Sequence, residues 1–177
     1  MKSTVINFVG FEVCWFACIL SAAYSLPVLG VSLAASWIVV HLYQHREFLE
    51  SELSVVGVAV VVGFGLDSLL FQLRLLESPY ERFWALGPLW LMALWMSFAT
   101  TVRHSLRWLN GRPILQASLG LIGGPLAYLT GESFGAITVN GLWGTVAVMA
   151  VYSVTVPALF IAAKFADAGG SAVRGAT

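Results

Sequence analysis

The sequence predicts an all-α, polytopic integral membrane helix bundle of about six transmembrane helices, on three observations. Charge-free stretches recur: Ser133 to Ala163 runs thirty-one residues without a charged side chain, and Phe83 to Val102 and Pro113 to Gly131 are also uncharged. A hydrocarbon core about 30 Å thick takes roughly 20 apolar helical residues to cross. Composition agrees, with 59% hydrophobic and 10% charged residues, against about 25% charged in an ordinary soluble domain. The links between the stretches are short, so no soluble domain fits between them.

The first span is expected from about Val5 to Tyr24. Lys2, an apolar run and Ser21-Ala22-Ala23 resemble a secretory leader, but Glu12 interrupts the run and a second apolar segment follows at once. Retention as a membrane helix is therefore expected. Cys14 and Cys18 share a helical face and read as small packing residues. The turn Ser25-Leu26-Pro27 leads into a second span, about Val28 to Tyr43, in an antiparallel hairpin. The third span lies near Leu53 to Leu73, the fourth near Leu86 to Trp108, the fifth near Pro113 to Thr130 and the sixth near Val139 to Ala163. Residues 1–168 form one transmembrane domain, and 169–177, opening Gly169-Gly170-Ser171, are expected to be a flexible tail.

Nine basic and nine acidic residues cancel, so no global field favours nucleic acid, and none is expected as a partner. Placement is more informative. With the N-terminus inside, Lys2, Arg46, Arg103, Arg107, Arg112, Lys164 and Arg174 fall on one side and only Arg74 and Arg82 on the other. That asymmetry predicts both termini in the cytoplasm. Trp84, Trp90 and Trp108 near the ends of the fourth span fit an interfacial belt. Gly120 with Gly124, and Gly131 with Gly135, have the spacing that lets membrane helices approach closely. Gly123-Gly124-Pro125 is expected to kink or unwind the fifth span.

Ionisable groups at membrane depth are costly and face a partner or a wet cavity. Asp67, well inside the third span, is expected to have a polar or cationic partner within the bundle, and is a catalytic candidate together with His104. Ser97, Thr100, Thr101, His104 and Arg107 recur at three- and four-residue steps, which places them on one inward face of the fourth span. Arg103, His104 and Arg107 gather at its cytoplasmic end, where guanidinium forks suit phosphate oxygens. With Asp67, Tyr128 and Glu132 they form the candidate ligand-binding set. His41 and His45, four apart on the second span, share a depth with His104. Three histidines suit a metal ion, and one from each of two helices suits a haem. Yet His41-Leu42-Tyr43-Gln44-His45 lacks the glutamate of the zinc-protease helix. No metal or other cofactor is expected.

Pro88-Leu89-Trp90-Leu91-Met92-Ala93-Leu94-Trp95, then Phe98-Ala99-Thr100-Thr101 and His104-Ser105-Leu106-Arg107-Trp108-Leu109, form a distinctive run. With Gly123-Gly124-Pro125-Leu126-Ala127-Tyr128, Gly131-Glu132, and Asp67-Ser68-Leu69-Leu70 after Gly63 and Gly65, the chain resembles a family of small uncharacterised bacterial six-span inner-membrane proteins. That resemblance implies a bacterial inner-membrane location and, through neighbouring genes similar to cyclopropane-fatty-acid synthases, a link to lipid modification. A looser similarity, to polytopic lipid hydrolases with a catalytic aspartate and histidines, meets a departure: no histidine lies in the last span.

The expected function is binding of a lipid or other amphipathic molecule within the bundle, accessory to membrane-lipid modification. Its acyl part would face apolar walls, with its head near Arg103, His104 and Arg107. The competing classes are a metal-dependent lipid hydrolase or haem protein using His41, His45, His104 and Asp67, and a small transporter or channel with Asp67 and Glu132 on its path. Expected partners are membrane lipid and either a second copy of the chain or a lipid-modifying enzyme.

Overall fold

A computed structural model describes residues 2–79 and 86–174, with side chains described for residues 3–79 and 86–168. Trp84 and Arg82 lie outside the described residues. Among those described, six helical rods succeed one another: α1 (Lys2–Ala23), α2 (Pro27–Gln44), a rod built from α3 (Leu49–Val58), a π-helical segment (Ala59–Phe64) and α4 (Gly65–Gln72), then α5 (Leu89–Val102), α6 (Pro113–Ser133) and α7 (Gly141–Arg174). The third rod, with its leading 3-10 turn, spans Arg46–Gln72. Five of the rods are long and apolar enough to cross a membrane. Their outer faces stay apolar without being covered. Only 22% of the Pro27–Gln44 window is buried, and Val28, Leu29, Val39 and Tyr43 stand exposed on it. A soluble chain could not leave such helices facing water; lipid accepts them.

The hairpin of α1 and α2 forms as the proline and the small residues dictate. Ser25 takes the left-handed conformation (φ 61°), and Pro27 opens α2, where its missing N–H costs nothing. A Cβ on Gly30 would meet the Ser21 hydroxyl at 2.3 Å; as glycine, it brings its own N–H to that hydroxyl at 3.1 Å. Cys14 and Cys18 are buried, unpaired packing residues.

The fourth span differs most from expectation. Its helix ends at Val102, and a turn followed by a short 3-10 segment (Arg107–Leu109) carries the chain to α6. At 14 residues, α5 is about 21 Å long, shorter than a bilayer core. Its burial explains this. Trp90, Leu91, Leu94, Trp95, Ser97 and Ala99 through Val102 are all buried, so α5 is the central rod, wrapped by neighbours, and apolar all round as such a helix must be. Trp90 accordingly packs in the core (3% exposed) rather than in an interfacial belt, while Trp108 is exposed.

Alternating direction sets both ends of the chain at one end of the bundle. Ser105 N–H donates to the Asn7 side chain at 3.2 Å, and Ser51 Oγ donates to Ala166 O at 3.2 Å. The opposite end is tied by a two-residue antiparallel pair that periodicity could not show: β1 (Leu76–Glu77) with β2 (Thr138–Val139), Leu76 opposite Val139.

The small-residue spacing on α6 works as expected against α7. A Cβ on Gly120 would lie 2.0 Å from Tyr152 O, and one on Gly124 2.5 Å from the Tyr152 ring. Gly131 packs near Ile137, whereas Gly135 serves the following turn with φ +79°. Pro125 does not unwind α6, which remains one helix from Pro113 to Ser133.

Candidate functional site

The turn at Val102 splits the polar stripe in two. Ser97, Thr100 and Thr101 face inward and are fully buried. The two threonine hydroxyls donate back to Ser97 O (2.7 Å) and Phe98 O (2.6 Å). Past the helix end the residues diverge. His104 turns toward α2 and α3, and Arg107 is exposed beside a cavity between the α5–α6 turn, α6 and α7. They do not share a face, because the helical period that would align them stops at Val102.

His104 meets a residue that periodicity did not single out. Glu52, in the first turn of α3, is 2% exposed and accepts three hydrogen bonds. Arg103 Nη1 and His104 Nε2 reach its Oε1 at 2.8 and 2.9 Å, and His41 Nε2 reaches its Oε2 at 3.2 Å. Arg103 Nη2 also pairs with Asp167 on α7, while Arg103 Nε is buried with no partner among the described residues. His45 completes the cluster. Its ring centre lies 4.7 Å from that of His41 and 4.1 Å from that of His104, and His41 lies 4.7 Å from His104. Burial first, and the neighbouring His104 and His41 next, push the His45 imidazole below its ordinary pKa. The sequence did hold a trace of Glu52. It shares the i, i+3, i+4, i+7 register of Val55, Val56 and Ala59, all buried, so its carboxylate had to turn inward.

The contact between His41 and His104 leaves no gap for a macrocycle, so these two rings do not form a haem clamp. The ring nitrogens converge instead: one ligand atom from each of His41, His45 and His104 lies within 4.8 Å of the others.

Asp67 belongs to a separate place. It is 0% exposed, and its Oδ2 accepts from Trp95 Nε1 at 2.6 Å and from Tyr152 OH at 3.4 Å. Tyr128 OH lies 3.5 Å from Tyr152 OH. Tyr152 has a single hydroxyl proton, which it gives either to Asp67 or to Tyr128. The expected partner is therefore a set of neutral donors, not a cation. Gly63, in the π-helical segment one turn before Asp67, admits Trp95; a Cβ there would sit 2.5 Å from the indole. Such a segment shifts the register of the helix beyond it, a feature invisible to a 3.6-residue pattern.

These roles make Asp67→Asn and Asp67→Leu separable. Asparagine keeps an oxygen for Trp95 and should cost little. Leucine orphans a buried indole N–H and takes the carboxylate acceptor from the tyrosine pair, at about 1–3 kcal/mol. Thermal unfolding in detergent decides; equal stability of the two variants would remove the hydrogen-bonding role.

Two cavities lie along α6 and α7. The first, about 400 Å³, is walled by aromatic residues, among them Phe11, Trp15, Trp95, Phe98, Tyr128 and Tyr152, with Glu12 on its rim. The second, about 660 Å³, is lined by Arg103, Arg107, Gln116, Phe160, Lys164 and Asp167. One helical turn separates their linings on two rods: Gly120 from Gln116, and Val156 from Phe160. His104 is absent from both linings. Glu132 is elsewhere again. Its Oε1 accepts from Val139 N–H at 2.9 Å, about 28 Å along α6 from Pro113, so it braces the β1–β2 end. The sequence-derived set thus divides into Arg107 at the second cavity, His104 with His41 and His45, Asp67 with Tyr128, and Glu132 alone, while Arg103 touches both Glu52 and the second cavity.

No curated protein and no solved structure matches the chain. A family model described as a protein of unknown function (DUF2878) matches residues 4–158, nearly the whole bundle, and the chain is a member of that family.

Proposed function

We propose that this membrane protein binds an anionic amphipathic lipid, acyl part in the aromatic cavity and head group at the second cavity, as an accessory to membrane-lipid modification. The alignment of the two cavities along α6 and α7 carries this reading. An apolar aromatic cleft lies one helical turn, along both α6 and α7, from a space lined by three cations and one anion. Among the described residues, Arg103 is paired with Glu52 and Asp167, and no ion pair reaches Arg107 or Lys164. Those two are the head-group contacts, and His104, turned toward Glu52, is not one.

The test is mass spectrometry of lipids retained by the purified protein. Each basic residue at such an interface adds about 1 kcal/mol of attraction for anionic lipid. Arg107→Gln with Lys164→Gln should therefore lower retention roughly 30-fold. Both residues are exposed, so the fold should survive. Unchanged retention in a folded double variant would end this reading. The basic asymmetry supports an orientation with both termini cytoplasmic; reporters after Thr177 and in the Glu132 loop should then give opposite signals, and matching signals would reject it. A partner enzyme or a second copy of the chain would receive the lipid from the exposed apolar flanks.

A further inference from the structure

The structure assigns a divalent transition-metal site to His41, His45 and His104, with Glu52 as the fourth ligand or the group that orients the rings. This site is independent of lipid binding, and three observations carry it.

The first is convergence. His41 and His45 come from α2 and the residue after it, His104 from the turn after α5, and Glu52 from α3. Ring nitrogens from separate elements gather within 4.8 Å, where packing alone would be served by ring faces. In a tetrahedral site with metal–ligand bonds of 2.0–2.1 Å, neighbouring donor atoms are about 3.3 Å apart. The Glu52 oxygens already lie 2.9 and 3.2 Å from the His104 and His41 nitrogens. Drawing the three histidine nitrogens from within 4.8 Å to that spacing completes the polyhedron.

The second is charge. Glu52, at 2% exposure, takes its one guanidinium contact from Arg103, which it shares with Asp167. Neutral imidazoles add no charge of their own, so Arg103 is the counter-charge that Glu52 has among the described residues. A divalent cation held by the imidazoles would add a second counter-charge.

The third is donor chemistry. Three imidazole nitrogens and one carboxylate oxygen suit zinc, iron or cobalt, and are poor for calcium or magnesium, which take oxygen ligands. Arg103 also holds Glu52, through the Oε1 that His104 reaches, the kind of outer contact that fixes a ligand's orientation.

The experiment uses the full chain purified in detergent. Metal is measured by elemental analysis as isolated, and again after loading with equimolar zinc or cobalt and desalting. One metal per chain is expected, and cobalt-loaded protein should show the d–d absorption of a four-coordinate nitrogen–oxygen site. His45→Gln and His104→Gln should each weaken binding at least about 100-fold, since loss of an outer contact alone costs 10–100-fold. Arg107→Gln should leave it unchanged. His45 is half-buried, so its variant should fold even if one at buried His41 does not. A folded wild-type chain that takes up no metal overturns the site. Metal retained equally by both histidine variants overturns it as well, by placing the ion elsewhere. The lipid reading is probed through Arg107 and Lys164, so the two failures are distinguishable.

Discussion

Glu52→Leu is expected to destabilise the protein by about 3–5 kcal/mol, the cost of stripping one partner from a buried ion pair. The substitution takes from Arg103 its buried partner, although Arg103 Nε already lacks one among the described residues. It also leaves His41 and His104 without their shared acceptor. Since His41 belongs to α2, Glu52 to α3, and Arg103 and His104 to the turn after α5, the loss should loosen the whole end of the bundle where the chain termini lie. Glu52→Gln keeps the shape and one acceptor oxygen, and should lose roughly half as much. Thermal unfolding in detergent, followed by helical circular dichroism, checks the order wild type, Gln, Leu. If the leucine variant melts with the wild type, the cluster does not hold these rods together.

Gly120→Ala should be nearly as damaging, by about 2–3 kcal/mol, the upper range for overpacking. The added methyl would sit 2.0 Å from Tyr152 O and 2.5 Å from its carbonyl carbon, and backbone cannot swing aside as a side chain can. α6 and α7 must separate, which draws the Tyr152 hydroxyl away from Asp67 and opens the aromatic cavity. Gly123→Ala is the control on the same helix. Its Cβ would meet only Leu119 Cδ1, at 3.7 Å, and the change should be neutral. Equal melting of the two variants would show that the α6–α7 contact is not tight.

Membrane class and the succession of six rods were legible because the bilayer imposes a composition and a length on each crossing segment. The hairpin at Pro27, the close approach at Gly120 and the inward hydroxyls of α5 were legible too, since each follows from local sterics or hydrogen bonding. The length of α5 was not. The expected span continues as far as Trp108, past the end of the uncharged run at Val102, and only enclosure by the other rods permits so short a helix at the centre.

The site was legible in parts and misassembled as a whole. Arg103, His104 and Arg107 lie within five positions, and a continuous helix would have set His104 and Arg107 on one face. The turn after Val102 sends His104 to Glu52 and leaves Arg107 at the second cavity. His41, Glu52 and Asp167 belong to three different helices, and periodicity within one helix carries no information about which helices meet. The sequence by itself determined that the chain lives in lipid, where its helices reverse, and which polar residues needed an inward partner, because these depend on single segments and their solvent. Tertiary structure alone decided the partners: neutral donors for Asp67, and one buried carboxylate for two histidines and an arginine. The reason is that a buried polar group must be satisfied, but what satisfies it depends on which rods pack side by side.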